Sequence, residues 1–219
     1  MKKFLPDLIA ILAFIILSFA YFFPADIEGR ILFQHDTAAG VGAGQESKEY
    51  LERTGERTRW TNSIFGGMPT YQMSPSYDST TSLKGVEKVY RLFLPDYVVL
   101  TFIMMLGFYI LLRAFGISAW LAGLGGVIWA FSSYFFILIP AGHIWKFVTL
   151  AYIPPTIAGI VLAYRRKYLL GGIITALFIA LQIQSNHIQM SYYFMFVILF
   201  IIGAYFEEAY KKKELTHFF

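Results

Sequence analysis

The sequence predicts an all-α membrane protein with about six transmembrane helices and one long extracytoplasmic loop after the first helix. Of its 219 residues, 57% are hydrophobic and only 15% are charged, whereas soluble domains carry about 25% charged residues. The mean hydropathy is +0.57, and the apolar residues are grouped in runs that approach the length of a membrane span. We therefore interpret residues 1–219 as a single integral membrane domain.

Six apolar runs are candidates for crossing the membrane, which takes about 20 mostly apolar residues. They lie at residues 8–23, 97–112, 117–139, 147–164, 168–183 and 190–206. Several runs are short, so they need flanking aromatic or polar residues, or a thin bilayer. In the third run Gly123, Gly125 and Gly126 predict either close packing or a bend. In the fourth run Pro154-Pro155 predicts a bend that frees backbone carbonyls toward a cavity.

Basic residues outside the long loop predict the orientation, because short loops rich in Lys and Arg stay in the cytoplasm. They flank every second boundary between runs: Lys2, Lys3, Arg113, Arg165, Arg166, Lys167, Lys211, Lys212 and Lys213. Only Lys146 falls on the opposite side. Both termini are therefore predicted in the cytoplasm, and the net charge of +4 is a topology signal that indicates no nucleic-acid partner.

The first run is predicted to be an uncleaved anchor, because Phe22-Phe23-Pro24-Ala25 lacks the small-x-small pattern of a signal-peptide cleavage site. The chain contains no cysteine, which excludes disulfides and thiolate metal sites. This composition fits a multi-pass protein of the bacterial inner membrane.

The outer loop, residues 24–96, is the predicted location of the chemistry, because loops of this length usually carry function. Asp36 follows the first run, and the residues after it, Thr37-Ala38-Ala39-Gly40, are small. Its carboxylate is suited to act as a general base, or to bind a divalent cation such as Mg²⁺ or Mn²⁺. The alternative is that Asp36 caps the helix that follows. Charges at helical spacing in residues 45–53 predict a short surface helix.

Two later turns are predicted on the same membrane face as Asp36. In the first, His143 and Lys146 are three residues apart and suit a phosphate, unless Lys146 only extends its ammonium group toward the interface. In the second, His187 could transfer protons near neutral pH.

Four further residues each have two interpretations. Gln182, Asn186 and Gln189 recur at helical spacing, so they are predicted to share one helix face, with pairing between helices as the alternative. Trp60 suits stacking on a sugar ring or a role as an interface anchor.

Short motifs in the chain resemble those of the bacterial YfhO-like membrane proteins, which belong to the GT-C class of integral membrane glycosyltransferases. They are Asp36, Phe65-Gly66-Gly67-Met68-Pro69, Gly142-His143 with Lys146, and Asn186-His187-Ile188-Gln189 with Tyr192-Tyr193. The resemblance implies transfer of a sugar from a polyprenyl-phosphate-linked donor to an envelope glycan or teichoic-acid-type acceptor on the outer face. Asp36 would be the catalytic base or metal ligand. The residues predicted to bind substrate are His35, Trp60, His143, Lys146, Asn186, His187 and Gln189.

The resemblance covers the N-terminal part of that family, whose members have about twice as many spans. The chain is therefore predicted to be a fragment or one half of a longer architecture. Two other functions stay open, a lipid-glycan flippase or transport component and a non-catalytic membrane assembly subunit. Ion-coupled transport needs ionisable groups deep in the bilayer, and the sequence has none between the ends of its predicted spans.

Overall fold

The computed structural model describes residues 4–23, 25–30, 32–72 and 83–218, so Lys2-Lys3 and residues 73–82 of the outer loop lie outside it. The helices are α1 (Leu5–Phe22), α2 (His35–Thr54), α3 (Lys84–Tyr90), α4 (Asp96–Ala114), α5 (Ala119–Ala130), α6 (Ser133–Ala141), α7 (Ile144–Tyr164), α8 (Tyr168–Gln184), α9 (Ile188–Lys212) and α10 (Leu215–Phe218). Strands β1 (Trp60–Thr61) and β2 (Met68–Pro69) pair antiparallel.

The apolar helices confirm a multi-pass, mostly helical membrane protein. Within the described residues, α1, α4, α7 and α9 are each long and apolar enough to cross a membrane. Helices α5 and α6 make a fifth crossing if they are counted together, and they are bent by 46° at the break between them. Helix α8 is apolar but only 17 residues long. By length and composition, the structure therefore supports four or five spans where the sequence predicted about six.

The glycines of the third run serve close packing, and the bend lies elsewhere. A Cβ atom added at Gly126 would lie 2.8 Å from the carbonyl oxygen of Met105 on α4, so α5 approaches the α4 backbone directly. The break between α5 and α6 comes later, at Phe131 and Ser132.

Helix α7 continues through Pro154 and Pro155 without interruption. Proline has no N–H group, so Pro155 leaves the carbonyl of Ala151 without its usual helical partner. The sequence predicts that such a carbonyl faces a cavity, but this one is covered by α4. Gly107 of α4 packs on it so closely that an added Cβ atom would lie 2.6 Å from the oxygen.

The helices alternate in direction, which separates two ends of the bundle. Helix α1 is antiparallel to α4, with Asp7 next to Arg113 at one end and Phe22 next to Tyr97 at the other. We call the end with Arg113 and the C-terminus of α7 the basic end. The end with the N-terminus of α7 is called the loop end, because α2 docks there.

Helix α2 is longer than the short surface helix predicted at residues 45–53, and it includes the glycine-rich residues 40–44. Glycine is disfavoured in a helix by about 1 kcal/mol relative to alanine, and none of the residues of α2, all of which are described, is buried. Contacts at two places fix it instead. Gln34 and Thr37 anchor its first turn, and Glu46 anchors the β-hairpin to its middle.

Candidate functional site

Asp36 is the second residue of α2. The alternative interpretation, that Asp36 caps this helix, is therefore wrong. The residue at the cap position is Gln34, whose backbone is extended, with φ −127° and ψ 114°. Asp36 lies in the first turn, where the helix dipole favours a negative charge. Its carboxylate points to a partner outside the helix.

The first turn of α2 is docked on the end of α6. The buried side-chain amide of Gln34 donates to the carbonyl oxygen of Ile139 across 2.6 Å, and the hydroxyl of Thr37 donates to Gln34 Oε1 across 2.9 Å. Gly142 follows α6 with a φ of +88°, and an added Cβ atom would lie 2.9 Å from the backbone nitrogen of Thr37. The chain therefore needs glycine at this position, both for its conformation and for the approach of α2.

Asp36 and His143 form the centre of the site. Asp36 Oδ2 lies 3.1 Å from His143 Nε2, and the two side chains are 58% and 49% exposed. His143 immediately precedes α7 and follows Gly142, so the docking of α2 on α6 brings the two residues together. An accessible carboxylate paired with an imidazole can accept a proton from a bound hydroxyl group.

The third turn contributes His187 to the same end of the bundle. Its Nδ1 accepts a hydrogen bond of 3.4 Å from the backbone N–H of Met190 at the start of α9. Burial lowers the pKa of His187, and the nearby charges of Lys146 and His143 act in the same direction. The hydroxyl groups of Thr149 on α7 and of Ser185, two residues before His187, are hydrogen-bonded, so this turn lies beside the N-terminal part of α7. The structure thus brings Asp36 and His143 into contact and places Lys146 and His187 at the same end of the bundle. Lys146 contacts Tyr134, with Nζ 5.5 Å from the ring centre.

Trp60 belongs to a different part of the loop. Its indole N–H donates to Asn62 Oδ1 across 3.2 Å, and its ring packs on Gly67. The hairpin is tied to Glu46, which lies ten residues after Asp36 in the same helix and therefore about 15 Å along its axis. The contacts of Trp60 do not join it to the cluster around Asp36.

The remaining predicted substrate-binding residues have local contacts. His35 packs edge-on against Phe33, with ring centres 4.9 Å apart. Gln189 donates to the hydroxyl of Tyr193 within α9, and Asn186 occupies the turn between α8 and α9 with a φ of +61°.

The prediction that Gln182, Asn186 and Gln189 share one helix face is wrong, because α8 ends at Gln184 and α9 begins at Ile188. The alternative explanation applies to Gln182. Its amide donates to the hydroxyl of Ser191 across 3.2 Å and so links the two helices.

A polar network around Glu87 is not among the predicted sites. Glu87 accepts hydrogen bonds from Arg91 at 2.5 Å, from the hydroxyl of Tyr152 at 2.8 Å and from the side-chain amide of Gln184 at 2.9 Å. The side chains of Glu87 and Arg91 are mostly buried. The only sequence signal is their spacing of four residues, which also describes ordinary surface pairs. The network fastens α3 to α7 and α8.

The side chains in the described part of the chain do not form a complete metal site. Among the described residues, no group of three or more His, Cys, Asp or Glu side chains could hold a metal ion. Asp36 and His143 are two donors of different chemistry, whereas Mg²⁺ prefers an all-oxygen environment completed by water or phosphate. A role for Asp36 as a ligand of Mg²⁺ or Mn²⁺ therefore stays a prediction.

Comparisons of the chain with protein-family models, curated proteins and solved structures found no match. The resemblance to the YfhO-like proteins accordingly stays a prediction from short motifs.

Proposed function

We propose that this protein is a GT-C-type membrane glycosyltransferase. It transfers a sugar from a polyprenyl-phosphate-linked donor to an envelope glycan or teichoic-acid-type acceptor at the outer face of the bacterial inner membrane. The observation that carries the proposal is the contact of 3.1 Å between Asp36 and His143, at the end of a membrane bundle where Lys146 and His187 also lie. The motif resemblance supplies the donor class.

The proposal includes a topology of six spans, with α5 and α6 as one crossing and α8 as another. The 17 residues of α8 extend about 26 Å, close to the roughly 30 Å of the hydrocarbon core. Contacts of α8 with α7 at both Gly171 and Ser185 support an antiparallel crossing. With the basic end in the cytoplasm, both termini are inside and the outer loop is extracytoplasmic.

In the proposed reaction, Asp36 accepts the proton of the acceptor hydroxyl group while His143 orients the carboxylate. The acceptor oxygen forms a bond to the anomeric carbon of the donor sugar. The bond between that carbon and the phosphate oxygen breaks, and the electron pair leaves with the polyprenyl phosphate. Lys146 offers a positive charge to this leaving phosphate.

The surface of α2 beside Asp36 leaves room for a bulky acceptor. Asp36, Gly40 and Gly44 are spaced by four residues, so they lie on one face of the helix. Cβ atoms added at Gly40 and Gly44 would meet nothing within 4 Å. An acceptor polymer can therefore approach the backbone of α2 next to the carboxylate.

The test is a transfer assay on the full chain in liposomes that contain a polyprenyl-linked sugar donor. Asp36→Asn removes the base and should lower the transfer rate by about 10²- to 10⁴-fold, with unchanged membrane insertion. Asp26→Asn, the same change elsewhere in the outer loop, should keep its activity. Full activity of Asp36→Asn would exclude the proposed catalytic role.

A non-catalytic assembly subunit is the second candidate, and the packing of α9 favours it. Only 6% of the apolar 18-residue stretch of α9 is buried within the described chain. This helix therefore presents a large surface to lipid or to other helices. A photo-crosslinker at Phe200, which is 79% exposed, would then capture a second membrane protein in cells. Capture of a partner by a chain that shows no transfer would favour this candidate over the enzyme.

A further inference from the structure

A cavity of about 470 Å³ lies at the basic end, between the C-terminal parts of α7 and α9. Arg165, Arg166 and Lys212 line it together with the aromatic rings of Tyr164 and Tyr205. These rings are stacked, with centres 4.2 Å apart. The cavity lies at the opposite end of α7 from His143, which the 21 residues of this helix separate by about 31 Å.

An apolar groove of about 340 Å³ adjoins the cavity and shares Phe115, Tyr205 and Glu208 with it. The groove is lined by Ile157 and Val161 of α7 and by Ile201 and Ala204 of α9. These residues lie one and two turns before the charged residues of each helix, so the groove runs from the cavity toward the middle of the membrane.

The charged side chains leave the cavity with one net positive charge. Glu214 pairs with Arg166 across 3.3 Å, and Glu208 pairs with Lys212. Arg165 instead donates to the backbone carbonyl oxygens of Ala114 and Phe115, at 2.9 and 3.2 Å. Its guanidinium charge is therefore held in place by neutral groups and stays available to an anion.

We propose that the cavity and groove bind one anionic phospholipid, with its phosphate beside Arg165 and an acyl chain between α7 and α9. A soluble phosphate would use only the cavity, whereas the continuous apolar groove fits a ligand with a hydrocarbon chain. The predicted cytoplasmic position of the basic end agrees with the anionic character of that leaflet. This inference does not depend on the proposed transferase activity.

The bound lipid has a structural consequence for α9. This helix contributes few buried residues to the bundle, so a lipid between α7 and α9 adds contacts where the protein makes few of its own. Removal of the lipid should loosen α9 and leave the packed pair of α7 and α8 in place.

The test is native mass spectrometry of the full chain after incubation with vesicles of phosphatidylglycerol or phosphatidylcholine. One phosphatidylglycerol molecule should be retained, and phosphatidylcholine should not. Lys212→Gln should lower retention about fivefold, and Arg165→Gln should lower it further. Lys211→Gln removes the same charge from the neighbouring position outside the cavity and should have no effect. Equal effects of Lys211→Gln and Lys212→Gln would overturn the proposal.

The groove is tested by a second pair of variants. Ala204→Phe fills the groove and should abolish retention of the lipid. Gly203→Phe adds the same side chain at a position where an added Cβ atom meets nothing within 4 Å, so it should retain the lipid. Both variants are checked for a single monodisperse peak in detergent. Retention of phosphatidylglycerol by a monodisperse Ala204→Phe variant, or its displacement by soluble glycerol phosphate, would contradict the proposed lipid site.

Discussion

The side-chain amide of Gln34 donates to the carbonyl oxygen of Ile139 across 2.6 Å and joins positions that are 105 residues apart. Gln34 is only 7% exposed, although the helix that it precedes has no buried residue in its described length. The contact therefore fixes the start of α2 on α6. Asp36 lies two residues further along, so the same contact determines where its carboxylate meets His143.

Gly142→Ala should displace the first turn of α2. The substitution forces alanine into a left-handed conformation, which costs about 1 to 2 kcal/mol, and it also places a methyl group 2.9 Å from the backbone of Thr37. We expect the distribution of distances between spin labels at Ala38 and Trp145 to broaden in electron paramagnetic resonance measurements.

Gly55→Ala is the matched control for this prediction. Gly55 also has a left-handed conformation, with a φ of +75°, but an added Cβ atom would meet nothing within 4 Å. It should therefore lower stability by a similar conformational cost and leave the distance between the labels unchanged. Equal distance distributions in both alanine variants would mean that contact with Gly142 does not determine the position of α2.

The sequence predicted the helices well, because long apolar runs have few alternatives in a membrane. It predicted α2 less well. Glycines disfavour a helix at residues 40–44, and the contacts that overcome this preference come from Ile139 and from the hairpin around Thr61. The residues of α2 alone do not predict contacts with such distant parts of the chain.

In the candidate site too, the position of residues along the spans was predictable from the sequence, and their long-range contacts were not. Alternation of the spans was enough to predict that Asp36, His143 and His187 lie at one end of the bundle. The network around Glu87 was not predictable, because its decisive partner, Tyr152, lies 65 residues away. A tyrosine in an apolar run is usually a packing residue or an interface anchor, so nothing local marks it as the partner of an acid.

The stability of the protein should depend on pH through His187. Burial holds the pKa of His187 below its ordinary value of 6.5. As the pH falls below 6.5, the unfolded chain takes up a proton that the folded His187 does not, so acid favours unfolding. The stabilisation is complete above pH 6.5 and is lost as the pH falls through the lowered pKa of the folded state.

This dependence is measured by thermal unfolding in detergent between pH 7.5 and 5. His187→Gln should reduce the loss of Tm toward acid pH, whereas His35→Gln, which removes an exposed imidazole beside Phe33, should not. An identical pH profile for His187→Gln and the unmodified protein would show that this histidine does not cause the effect.

Glu46→Ala should release the hairpin that carries Trp60. The carboxylate accepts hydrogen bonds from the hydroxyl of Thr61 and from the backbone N–H groups of Asn62 and Ser63, and these contacts lower its pKa. Without them, trypsin should cleave after Arg57 or Arg59 about tenfold faster, because cleavage follows local opening. Glu49→Ala, which removes an acceptor used by Gln45 in the same helix, should leave the cleavage rate unchanged.

Glu87→Gln should destabilise the protein more than the same change at Glu207. Both residues pair with a basic residue four positions later at 2.5 Å, but the side chain of Glu87 is 18% exposed and that of Glu207 is 66% exposed. Removing a partly buried charge with three partners should lower the free energy of unfolding by about 1 to 3 kcal/mol. An exposed pair such as that of Glu207 contributes much less, because solvent screens the two charges.

A double-mutant cycle separates the network from the simple loss of charge. Glu87→Gln and Tyr152→Phe, alone and together, should show a coupling of about 0.5 to 3 kcal/mol in chemical unfolding, because each removes a group that the other contacts. Glu207→Gln combined with Tyr152→Phe should be additive, since these residues share no contact among those described. Additive effects of Glu87→Gln and Tyr152→Phe would mean that the hydrogen bond between these two side chains does not help to hold α3 on α7.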